Sequence, residues 1–494
     1  MGGKTAVIIM HGIGEQVPMD TIKGFVEAAW TTDLSLTRKG KPHPDTGSFN
    51  RQNNASWVKP DARNRSFELN RITTEESVGG ARIDFFEYYW AYRVTGTTWA
   101  QVQTWLGSLV LRNPWKRVPR SILPTWIALC MLTLVVGTAV LAFGLDLVDA
   151  GPSEPAPLTK LGLGAVALIS SSIIAVMVSH VGDVVRYVQA KPENIAIRQA
   201  IRENGVQLLE SLMGRKEDGT WGDADYERIL VVGHSLGTIV AYDILAHAFA
   251  RLGEQLDGTV TFQPCRAALE QHIREGRESG GDAEWTTKYR RLQREVFDEA
   301  RRHRSRWLVS DFISIGSPLT HAEFLMARDR PALERAKAVR ELPSCPPILE
   351  YDAKTFDAHY HFSYRPSPLD SFGDDADPRS PRRPHHAAMF AFTTWTNIYS
   401  PRSAIICGDL ISGPVAEVFG IQADDGSYLS GIKDISVLPC TDETDVTEAD
   451  RKRRLFTHLK YWNTKVAVEA GVERVPFHIR ALRATLDLGR KPGA

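Results

Sequence analysis

The sequence predicts an α/β fold, a doubly wound and mostly parallel sheet with helices on both faces. Three observations predict it. Short apolar runs recur along the chain, and helical patterns fill the intervals between them. The runs are continuously apolar rather than alternating, as strands buried on both faces are. At 494 residues the chain is also long enough for one large core carrying insertions.

In chain order, strands are expected at Thr5–Met10, Ala81–Tyr88, Ile229–Val232, Asp311–Ile315, Met389–Asn397 and Ile432–Leu438. Helices are expected from Pro192 to Met213, with Pro192 suited to a first turn, and from Thr238 to Arg251. The expected organisation is an N-terminal part of the sheet domain over 1–118, an insertion over 119–185, and the remainder over 186–494. Two further insertions fall at about 252–306 and 320–388. The first is charged and helical. The second holds "YRPSPLDSFGDDADPRSPRRPHH", too rich in Pro and Asp to build a core, and reads as a surface loop or lid.

The insertion over 119–185 differs in kind. Residues Ile122 to Leu145 contain no charge, and Leu158 to Val178 carry only Lys160 near one edge. Each run can cross a hydrocarbon core of about 30 Å, so a two-helix transmembrane hairpin is expected. Gly162, Gly164 and Ser170 to Ser172 would let the two helices approach closely. Arg112, Lys116, Arg117 and Arg120 precede the hairpin, Arg186, Lys191 and Arg198 follow it, and its short loop carries Asp146, Asp149 and Glu154. That asymmetry predicts a membrane protein whose large portions both face the cytoplasm. Trp99, Val102, Trp105, Leu106 and Leu109 recur at helical spacing and would suit a helix lying in the membrane interface.

Composition narrows the chemistry. Lysine plus arginine balances aspartate plus glutamate, 59 against 59, so no charge excess points to nucleic acid. The five cysteines, Cys130, Cys265, Cys345, Cys407 and Cys440, are scattered without a CxxC pair, which fits a reducing compartment. The N-terminal apolar run Ala6 to Met10 is too short for a signal core, and no signal peptide is expected. No HExxH or comparable ligand spacing is present, so neither metal nor cofactor is expected.

The chemistry concentrates at "ILVVGHSLGTIVAY", residues 229–242. A bare Gly-x-Ser-x-Gly arises by chance about 0.2 times in a chain of this length, so the flanks decide its meaning. Here a strand leads in and a helix leads out. A tight turn between them would lift Ser235 above the sheet and aim the helix N-terminus at developing negative charge. "AVIIMHGIGEQ" supplies a second strand with glycines beyond it. The backbone N–H groups of Gly12, Ile13 and Leu236 are the expected donors of an oxyanion hole. His234, inside the turn, is expected to be structural.

"HGIG" after a first strand, "GHSLG" in an elbow and "GSP" at Gly316–Pro318 together resemble the α/β-hydrolase superfamily, on its lipase-like side. More narrowly, "HGIGEQ", "EYYWAYRVTG" and "GDLISGPV" resemble a group of bacterial membrane-associated hydrolases. The resemblance implies a chain order of serine, acid and histidine. It points to Asp409 in "CGDLISGP" as the acid, with Asp434 as the fallback. It points to His458 in "FTHLKYWN" as the base, with Tyr461 and Trp462 nearby and His478 as competitor. With Asp409 as the acid, the order excludes His359, His361, His385 and His386. The implied activity is cleavage of a carboxylic ester by way of an acyl-enzyme. The expected hairpin and interfacial helix, not the resemblance, suggest a lipid or amphiphilic ester met at the surface of a bacterial inner membrane. Acyl transfer by the same residues, or a catalytically silent membrane scaffold, are the alternatives.

Overall fold

A computed structural model describes residues 3–93 apart from 13–16, 62 and 64–67, then 192–252, 263–351, 360–365 and 382–439 apart from 403–407 and 410. It further describes 457–462, 467–490 apart from 470 and 471, and isolated positions between 113 and 188. Apart from those isolated positions, the expected membrane hairpin lies outside the described residues, as do the expected interfacial helix and most of the Pro/Asp-rich stretch. Among the described residues no helix is long and apolar enough to cross a membrane.

The centre is an eight-stranded sheet. Its strands are β1 (Lys4–Met10), β2 (Ser56–Pro60), β3 (Asn70–Thr74), β4 (Arg82–Tyr88), β5 (Arg228–His234), β6 (Val309–Ile315), β7 (Thr394–Tyr399) and β8 (Lys433–Ser436). They lie side by side in the order β8-β7-β6-β5-β1-β4-β3-β2. Neighbours from β8 to β4 are parallel, and only the β2–β3 and β3–β4 pairs are antiparallel.

Alternation along each strand sorts side chains onto two faces. Ala6, Ile8, Met10, Ile229 and Val231 join one core cluster, while Val7, Ile9, Leu230 and Val232 join another. The first face is covered by α2 (Pro192–Leu212) and α3 (Gly237–Leu252), through residues such as Leu209, Val240 and Ile244. The second is covered by α1 (Asp20–Val26) and the C-terminal helix α6 (Phe477–Leu486), through Phe25, Ile479 and Leu482. This is the doubly wound arrangement that continuous apolar strands require.

Three differences from the sequence-based expectation have physical reasons. No strand is expected at β2 or β3, because both are polar. β2 is the sheet's edge, half solvated and ending in Pro60, a residue that sheets tolerate on edge strands. The run at Met389 begins as a single helical turn, Met389–Ala391, and the strand starts only at Thr394. Tyr289 and Gln293 both donate to the Phe390 carbonyl, so that backbone is satisfied without a sheet partner. The helices within 252–306, α4 (Pro264–Ser279) and α5 (Ala283–Arg302), contribute fully buried Leu269, Ile273 and Tyr289 to the first cluster. They complete the core instead of decorating it.

Strand register brings the two glycine-containing segments together. Met10 of β1 pairs with Gly233 of β5, so the chain leaving each strand emerges beside the other at their carboxyl ends. In an open α/β sheet that edge is where ligands bind.

Candidate active site

β5 ends at His234, and α3 begins at Gly237. Between them Ser235 adopts φ +52°, a left-handed conformation that costs a non-glycine residue about 1–3 kcal/mol. The surroundings enforce it. The Ser235 N–H donates to the Ile315 carbonyl at 3.0 Å, and Thr238 Oγ1 donates to the Ser235 carbonyl at 2.7 Å. Thr238 has thereby used its only hydroxyl proton, so the Ser317 hydroxyl, 2.7 Å away, donates to it. A side-chain carbon at Gly237 would overlap the carbonyl oxygens of Met10 and His11, so the start of α3 is pressed directly onto the end of β1. In this turn the Leu236 N–H has no acceptor among the described residues.

Ser235 is 4% exposed and begins a continuous line of hydrogen bonds. Its Oγ stands 2.9 Å from His458 Nε2, and His458 Nδ1 stands 2.9 Å from Asp409 Oδ2. The same Asp409 oxygen accepts from the Ser412 hydroxyl at 2.7 Å and the Tyr461 hydroxyl at 2.8 Å. Asp409 Oδ1 accepts the N–H groups of Ile411 and Ser412 at 2.9 and 3.3 Å. Burial opposes ionisation of Asp409. The His458 hydrogen bond and charge, with the Ile411 N–H and Ser412 hydroxyl, outweigh it and hold the carboxyl well below the usual carboxylate range. An ionised Asp409 can only accept, so His458 carries its proton on Nδ1, and Nε2 is left to accept from Ser235.

Several neighbours hold the imidazole in place. His234 Nε2 donates to the His458 carbonyl at 3.0 Å, and the two rings stack with centroids 5.1 Å apart. Trp462 meets the His234 ring edge-on at 4.8 Å. Gly316 has φ +58°, and a side-chain carbon there would sit 2.9 Å from Tyr461 Cε2 and 3.3 Å from the His458 ring. Only glycine provides both the backbone conformation and the space at that position.

Of the other expected residues, Gly12 lies against the serine, since a side-chain carbon there would be 2.9 Å from Ser235 Cβ. Ile13 lies outside the described residues. Asp434, on β8, accepts from Asn397 Nδ2 and from the N–H groups of Val415 and Ala416, so it fastens a loop and is not joined to the serine. His478 lies buried on α6, packed toward the second face of the sheet. His361 pairs with Glu270, His385 with the Ile348 carbonyl and His386 with the Arg340 carbonyl, and His359 lies outside the described residues.

Sequence reasoning missed Ser412 and the purpose of Gly316. A serine three residues beyond an aspartate is a common turn pattern that carries no mark of function. The glycine was visible within "GSP", but what it makes room for arrives 142 residues later in the chain, at His458.

Chemically, the arrangement offers a hydroxyl with a proton acceptor in contact, an anchored imidazole and an unpaired N–H at a helix start. It also leaves an acid signature. Burial lowers His11 to about 4, His234 to about 3 and His385 to about 4. The unfolded chain, with histidines near 6.5, therefore binds more protons than the folded one as pH falls below that value. The stability these residues contribute is complete above pH ~6.5 and is lost toward the folded values, by about 2 kcal/mol each by pH 5. Glu87, pushed up to about 7 by burial, works in the opposite direction and offsets roughly one histidine. Urea midpoints are expected to be clearly lower at pH 5 than at pH 7, and equal midpoints would refute this balance. No protein-family model, curated protein or solved structure matches the chain.

Proposed function

We propose that the chain is a membrane-anchored serine hydrolase of the α/β-hydrolase type that cleaves a carboxylic ester by way of an acyl-enzyme. The observation that carries this reading is the unbroken line Ser235–His458–Asp409, with both links at 2.9 Å, beyond the carboxyl ends of central parallel strands. Ser235 Oγ attacks the ester carbonyl carbon while His458 Nε2 takes the hydroxyl proton. Asp409 keeps the imidazole in the required tautomer and balances its positive charge. The carbonyl oxygen, now negative, is received by the Leu236 N–H and by the backbone at Gly12. His458 passes its proton to the departing alcohol, leaving Ser235 acylated. Water, deprotonated by His458, then releases the carboxylic acid and restores the serine.

The amphiphilic character of the substrate rests on two features. The apolar runs over 122–145 and 158–178 would hold the site at a bilayer surface. Leu459, next in sequence to His458, is 70% exposed. An apolar side chain so placed suits a lipid-like ester better than a small polar one.

The test is to treat membranes holding the full chain with a fluorophosphonate and map the adduct by peptide mass spectrometry. The adduct is expected on Ser235, in protein that stays with salt-washed membranes. Labelling at another residue, or none, refutes the nucleophile, and recovery in the soluble fraction removes the anchor.

A further inference from the structure

The segment Glu87–Trp90, at the end of β4, reaches both flanks of the loop after β1. At the near flank, the Trp90 backbone N–H donates to His11 Nε2 at 3.2 Å, and the indole N–H donates to the His11 carbonyl at 3.1 Å. The rings stack with centroids 5.1 Å apart and planes 3° apart. A backbone N–H can only donate, so His11 Nε2 accepts and the ring proton sits on Nδ1. Nδ1 in turn donates to the Gly12 carbonyl at 2.8 Å. The carbonyls of His11 and Gly12 are thus both held. In a planar trans peptide, fixing the carbonyl fixes the N–H on its opposite side.

At the far flank, Glu87 is fully buried, and its Oε2 accepts the Met19 N–H at 2.6 Å. Met19 has φ +73°, a conformation that a methionine holds only under constraint. Glu87 Oε1 has no partner among the described residues. A buried carboxyl with an unpaired oxygen is costly, and an apolar side chain would serve strand packing better. Burial pushes the carboxyl up to about 7, so the group hovers near neutrality and still serves as an acceptor.

We propose that Glu87 and Trp90 are positioning residues that hold Met19 and His11–Gly12, so that the Gly12 backbone, which lies against Ser235, meets the developing negative oxygen. This rests on the hydrolase reading. Donors to such an oxygen act through placement that is already fixed before the reaction, so slackening the loop weakens the transition state more than substrate binding.

The experiment uses the full chain and three variants: Glu87→Ala, Glu87→Gln and Trp90→Phe. It measures kcat and KM on a p-nitrophenyl ester per active site, with sites counted by fluorophosphonate titration, and a melting curve for each variant. Glu87→Ala and Trp90→Phe are expected to lower kcat about 10²-fold with KM changed by less than about threefold. Glu87→Gln keeps a carbonyl oxygen for the Met19 N–H and is expected to recover to within about fivefold of the parent. A purely structural role would reduce melting temperature and the number of titratable sites, but leave kcat per site unchanged. That result in both Glu87→Ala and Trp90→Phe overturns the proposal. Trp90→Phe keeps an aromatic ring against His11 and the backbone N–H, so it tests the indole donor even if Glu87→Ala fails to fold. If the parent chain does not react with the fluorophosphonate, the hydrolase reading itself falls.

Discussion

Asp409→Asn is expected to lower turnover of an acyl ester by about 10⁴-fold, and Ser235→Ala by about 10⁶-fold. The asparagine is nearly isosteric, so its effect comes from protons rather than shape. Asp409 Oδ2 already accepts from Ser412 and Tyr461 as well as from His458. In the variant the Ile411 and Ser412 backbone N–H groups at the other oxygen's position, which can only donate, would claim the amide oxygen. The two hydroxyls can turn to accept, and the amide nitrogen would face His458 Nδ1. A donor there forces Nδ1 to accept, which moves the ring proton to Nε2 and aims it at Ser235. The imidazole can then no longer take the serine proton. His458→Ala should be as severe as Ser235→Ala, because residues that act as one unit are not additive. His478→Ala serves as the control and should retain turnover. Rates on a p-nitrophenyl ester, normalised to folded protein, measure all four. A loss below about tenfold in Asp409→Asn would remove Asp409 from the assignment.

Gly237→Ala is expected to destabilise the fold by about 3 kcal/mol or more, far beyond the ordinary cost of one methyl group. The added carbon would meet the carbonyl oxygens of Met10 and His11, and neither can rotate aside because both belong to the backbone. Relief requires α3 to back away from β1. That shift would carry Leu236 with it and open the turn that confines Ser235. Reactivity toward a fluorophosphonate should therefore fall together with the urea midpoint. Thr238→Ser, one residue on, keeps the hydroxyl that donates to the Ser235 carbonyl and should leave both nearly unchanged. Parent-like stability in Gly237→Ala would mean that α3 does not press on β1 as described.

Residues that bury both faces of a strand were the ones legible in the sequence. β1, β4, β5 and β6 lie within about two residues of their expected limits because continuous apolar runs have few other uses. β2 escaped because an edge needs no apolar signature, and β3 because its Asn, Arg and Thr residues give it no apolar run. Met389 misled because an apolar run identifies burial, not backbone shape. The same division holds at the site. Ser235 was marked by the strand, turn and helix around it. His458 and Asp409 rested on chain order and local resemblance, and the geometry brings both to the serine. Ser412, Gly316 and the His11–Trp90 stack were illegible, because each has meaning only through a partner distant in the chain.

The hydrogen bond from Ser235 to His458 joins residues 223 positions apart, and that from His458 to Asp409 spans 49. Contacts this remote form late, after the entropy of closing the intervening chain has been met. A growing chain completes β1, β4 and β5, and with them the elbow, well before residue 458 is made. Throughout that interval Ser235 has no base beside it and is an ordinary alcohol. Under the proposed function, the serine becomes reactive only once the segment carrying His458 has been made and has folded back onto it.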